Sequence, residues 1–144
     1  AVHQSLVTGE PLIAPHAEII APTYTTNLAR ALLDAAILDT YPRARCFPDA
    51  PWHAPLQGGI YHYADLGEAS LAQFASAWCT QVQDRYPKSK ELSIIERPAA
   101  SFSNRAARPQ RLVLAAQKLV RSVSVIRRQP WPDALAAASK RIAI

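Results

Sequence analysis

Twelve prolines, at positions 11, 15, 22, 42, 48, 51, 55, 87, 98, 109, 130 and 132, limit what can form between them. Each fixes φ, removes a backbone donor and biases its predecessor away from the α region. Helices of several turns therefore fit only after Pro22, between Pro55 and Pro87, after Pro109 and after Pro132. The first 24 residues, with three prolines, predict an extended arm with one edge strand at most. Four prolines between 42 and 55 exclude regular structure there.

Within the open intervals the hydrophobic pattern is helical. Thr25, Thr26 or Asn27 can cap a helix running to about Thr40, with Leu28, Leu32, Ala35 and Ile37/Leu38 as its apolar stripe. Gly58-Gly59 turns the chain into a short strand candidate, Ile60–Ala64, with Tyr61 and Tyr63 on one face. Asp65 to Glu68 has the spacing of a capping box. The helix it opens carries Leu71, Phe74, Ala75, Trp78 and Val82, the cleanest periodicity in the chain, and Phe74 with Trp78 predicts the centre of the core. Leu92–Glu96 predicts a strand. Pro109 suits the first turn of a third helix reaching about Ser124, although Arg121–Arg128 also alternates as a strand would. A short Ala-rich helix opens at Pro132-Asp133. The expected fold is α+β: three to four helices on a small antiparallel sheet, with a 1–24 arm and a single domain over 25–144.

Charge is uneven along this frame. Residues 1–60 carry net −2, residues 61–100 net −1, and residues 101–144 net +8. The excess lies in the last third, in Arg105, Arg108, Arg111, Lys118, Arg121, Arg127 and Arg128. Guanidinium forks suit phosphate oxygens, and Phe102 beside them could stack on a base. These residues predict a non-catalytic subunit of a larger assembly that binds DNA or RNA backbone, with counterion release as the driving term. The alternative without nucleic acid is a structural or accessory protein, such as a virion or organelle-complex subunit, whose arginines dock on acidic neighbours.

Other chemistry is poorly represented. The four glycines form neither G-x-G-x-x-G nor G-x-x-x-x-G-K-[ST], so no cofactor is expected. Cys46, His53, His62 and Asp65 form a loose metal-like set whose spacing fits no zinc site, so no metal is expected either. A hydrolase or nuclease built on His53 or His62 is the third reading, and no catalytic residue is assigned. Cys46 and Cys79 have no CxxC spacing and read as reduced thiols in a reducing intracellular compartment, with one disulfide as the alternative. The N-terminal residues lack the charged and apolar regions of a signal peptide. No apolar run approaches the roughly 20 residues a bilayer span needs.

Overall fold

A computed structural model describes residues 4–5, 8–15, 18–40, 56–84, 86, 92–98, 101 and 109–141. Among these residues, strands and helices follow in the order β1 (Leu12–Pro15), β2 (Ile19–Ile20), α1 (Thr25–Thr40), β3 (Ala69–Ser70), α2 (Leu71–Val82), β4 (Ile94–Arg97), β5 (Arg111–Leu112), α3 (Gln117–Ser122) and α4 (Trp131–Arg141). The chain is a mixed α and β structure.

The strands form two small sheets. β1 runs parallel to β4, with Leu12 opposite Ile94 and Pro15 opposite Arg97. β2 is central in the other sheet, antiparallel to β3 and parallel to β5. Two of the three pairings are therefore parallel, where the sequence suggested an antiparallel sheet. Parallel partners need a long crossover, and here the crossovers carry the helices. The proline-rich start supplies β1 and β2, so each sheet takes strands from both sides of position 24.

The start and end of α1 match the expectation, but its stripe does not. Ala31 is buried on this helix, joined by half-buried Leu28 and Ala35, while Leu32 is 62% exposed. Tyr63, Leu119, Val123 and Ile126 complete that core. Val123 is fully buried, and burial of such a side chain is worth about 1.5–3 kcal/mol.

α2 begins later than the sequence implied. Its capping box is Ser70 and Gln73: the Gln73 backbone N–H donates to Ser70 Oγ at 3.0 Å, and the Ser70 N–H donates to Gln73 Oε1 at 2.8 Å. Its buried side is Ala72, Ala75, Cys79 and Val82, and it packs on α4, β1 and β4. Phe74 and Trp78 are only half-buried, so they do not centre the core. Cys79 is buried, and burial pushes its thiol pKa up, which suits an inert structural cysteine.

Two further segments depart from the sequence pattern. Ile60–Ala64 pairs with no strand among the described residues, although its burial alternates: Tyr63 is buried, and His62 and Ile60 are exposed. The third helix is one short piece, Gln117–Ser122, because Arg111 and Leu112 are taken up by pairing with Ile19 and Ile20. The backbone is extended again at Val123.

Candidate functional site

Asp65 connects the parts of the molecule that build the candidate site. Its carboxylate is fully buried, and it accepts a hydrogen bond from the Tyr24 backbone N–H (2.9 Å), from Asn27 Nδ2 (3.1 and 3.2 Å) and from the Tyr63 hydroxyl (2.9 Å). The first turn of α1 contains no acidic residue of its own. Asp65 supplies one from 38 positions away, where it meets the positive end of the helix dipole and a free backbone donor. Arg128 supports it from behind, donating to the carbonyls of Ala64 (2.5 Å) and Asp65 (3.0 Å). Burial, and then the hydrogen bond to Asp65, push the Tyr63 hydroxyl well above its ordinary pKa.

The next two residues hold the opposite wall. Leu66 donates its N–H to Gln129 O at 2.8 Å and accepts from the Trp131 N–H at 2.9 Å, forming a one-residue parallel bridge with Pro130. Gly67 has φ +93°, and a Cβ built there would lie 2.9 Å from Trp131 Cδ1. Only glycine allows the chain to turn this way with the indole so close. Asp65-Leu66-Gly67 thus fixes the start of α1 through its carboxylate and the start of α4 through its backbone.

Between those two helix starts lies a groove of about 540 Å³. One wall is Ile20 and Pro22 to Thr26, leading into α1. The other two are Phe74 and Trp78 of α2, and Trp131, Leu135 and Arg141 of α4. The Phe74 and Trp131 rings are tilted at 47°, with centroids 6.1 Å apart. The groove offers aromatic faces, threonine hydroxyls and one guanidinium at its rim. That combination suits a ligand with a flat or ring-shaped body, hydroxyl groups and negative charge.

The described residues of the predicted basic face have different surroundings. Arg105, Arg108 and Phe102 lie outside the described residues, as do Cys46 and His53. Arg111 makes a two-pronged ion pair with Glu68, with Nε donating to Oε2 at 3.1 Å. Lys118 donates to Ile60 O at 3.1 Å and lies 4.2 Å from the centre of the Tyr61 ring. Arg128 is bound to the carbonyls described above. Arg121 and Arg127 are exposed. Arg111, Lys118 and Arg128 thus each have a partner within the fold. His62 is exposed while Asp65 is buried and bonded, and the described residues contain no cluster able to hold a metal. None of the groove residues was assigned a site role from sequence. The visible signal was the i, i+4 pair Phe74/Trp78 and the run Trp131, Leu135, Ala138 on one helical face, which resembles an ordinary core pattern.

The family model of the RmlD substrate binding domain matches residues 8–144, and the chain belongs to that family. No curated protein matches it. Among solved structures it is similar to a dTDP-4-dehydrorhamnose reductase from Clostridium acetobutylicum ATCC 824, with 19% identity and a TM-score of 0.63, covering 94% of this chain and 41% of that one. It is likewise similar to the dTDP-4-dehydrorhamnose reductase of Bacillus anthracis str. Ames in complex with NADP, with 17% identity and a TM-score of 0.64, covering 94% and 40%. The chain spans about two fifths of the length of these structures. Membership in a substrate-binding family overturns the expectation of a non-catalytic nucleic-acid-binding subunit. It equally overturns the structural or accessory protein docked on acidic neighbours, and the partners expected for both.

Proposed function

We propose that this chain is the substrate-holding part of a sugar-nucleotide reductase acting on a dTDP-4-keto-sugar. The family match over residues 8–144 carries this reading. The fold shared with two dTDP-4-dehydrorhamnose reductases supports it. A fold alone does not name a reaction, so the site must also suit the ligand. The groove does so: Phe74, Trp78 and Trp131 offer faces for a base or a hexose ring. Thr25 and Thr26 offer hydroxyls to sugar oxygens, and Arg141 offers a fork for a phosphoryl oxygen.

The NADP bound to one of those reductases would find no glycine-rich phosphate turn at the starts of α1 and α2. Dinucleotide pyrophosphates sit on a glycine-rich turn at a helix N-terminus. Here β2 leads into α1 through Ala21-Pro22-Thr23-Tyr24, without glycine, and the Asp65 carboxylate already lies at that helix start. A pyrophosphate would meet a negative charge there. The N-terminus of α2 is closed by its capping box. In this reading the chain's own work is to hold and orient the sugar nucleotide and to exclude water from its apolar faces.

Calorimetric titration of the full chain with dTDP and with dTDP-rhamnose, the alcohol formed when the 4-keto sugar is reduced, tests the proposal. Both should bind at one site, and Trp131→Ala should weaken them about tenfold through lost stacking. Absence of heat with either nucleotide would remove the reading.

A further inference from the structure

A second cleft, of about 390 Å³, lies on the other side of the α1 start and shares no lining residue with the aromatic groove. Its walls are one face of α1, with Asn27, Arg30 and Asp34, and the segment 125–130, with Arg127, Arg128 and Gln129. The sugar-nucleotide reading uses none of these side chains for ligand.

Three guanidinium groups therefore line one small cleft. Arg128 is half-buried and clamped: Nε donates to Ala64 O and Nη2 to Asp65 O, and its guanidinium also lines the cleft. Arg30 and Arg127 are exposed, and neither forms an ion pair or hydrogen bond with any described residue. Arg30 and Asp34 are one helical turn apart, yet no ion pair joins them. Asn27 Nδ2 donates to Gln129 Oε1 at 3.3 Å, which ties the two walls together. Three guanidinium groups against the single carboxylate of Asp34 leave this lining net positive, and an oxyanion between the cations relieves their repulsion while satisfying donors.

We propose that this cleft between α1 and the 125–130 segment is a second binding site, for a small polyanion bearing phosphoryl or carboxylate groups. Its volume is at the lower end of the range for small-molecule sites, which suits a metabolite-sized anion better than a polymer. Arg128 is the fixed anchor, while Arg30 and Arg127 close on the ligand from either wall. Asp34 opposes the anion and sets a limit on its affinity.

Calorimetric titration of the full chain at low ionic strength, with inorganic pyrophosphate and separately with citrate, tests the site. One saturable event is expected, and the tighter of the two probes assigns the phosphoryl or the carboxylate class. The double variant Arg30→Gln/Arg127→Gln should weaken binding by about tenfold or more through loss of two charge-assisted contacts. Asp34→Asn should tighten it severalfold, a gain that a damaged fold would not produce. Lack of saturable binding by either probe overturns the proposal. So does a double variant that binds as the parent does, or an Asp34→Asn variant that binds no more tightly.

Discussion

Asp65 accepts the Tyr24 backbone N–H at 2.9 Å, across 41 positions of sequence, and so caps a helix to which it does not belong. The carboxylate is fully buried with donors from Tyr24, Asn27 and Tyr63 around it. It is therefore the point where the start of α1 and the 63–67 segment become one structure.

Removing that carboxylate should be costly. Asp65→Ala strands several donors in a dry environment, and an unsatisfied buried group costs about 1–3 kcal/mol. We expect a loss of at least that size in chemical denaturation, read as a lower midpoint at unchanged slope. Asp65→Asn keeps the shape and should lose less, because an amide oxygen still accepts from Tyr24.

Tyr63 gives a pH prediction. Its hydroxyl is raised above the ordinary value of about 10 by burial first and the Asp65 hydrogen bond second. A group whose folded pKa is raised contributes stability that is fully present below the unfolded value. Stability should therefore be flat in this term up to about pH 9 and fall as pH rises through and above about 10, where only the unfolded tyrosine ionises. Denaturation midpoints at pH 8 to 11, compared with Tyr63→Phe, would show it. The variant should have a shallower alkaline decline.

Gly67 should resist substitution. Gly67→Ala places a Cβ against the Trp131 indole in a backbone region that alanine avoids, and strain of this kind costs about 1–3 kcal/mol. Because Trp131 forms one wall of the groove, the variant should also weaken dTDP binding. A variant that unfolds less readily than the parent, or binds equally well, would show that the contact is unimportant.

Much of the helical frame was legible from prolines and periodicity. α1 lies where capping threonines and Pro42 imply, and α4 follows the Pro130-Trp131-Pro132 punctuation. Other features depend on partners remote in sequence. Arg111-Leu112 looks like helix until Ile19-Ile20 pairs beside it. Asp65 looks like the cap of the helix that follows it, and instead caps the one before. The charge count misled most. Arg111 and Arg128 are held by Glu68 and by backbone carbonyls, contacts that no local pattern announces. The groove was hidden for a related reason: Phe74, Trp78 and Trp131 have the spacing of core residues, and only the tertiary arrangement leaves them lining a space.

The most direct test of the account is where a sugar nucleotide binds. Amide and indole resonances of the isotope-labelled full chain, followed during titration with dTDP-rhamnose, locate it. The account predicts shifts concentrated at the amides of Thr23 to Thr26 and at the indole N–H groups of Trp78 and Trp131. Shifts that leave both indoles and the α1 start unmoved, or saturation without any change at the groove, would contradict it.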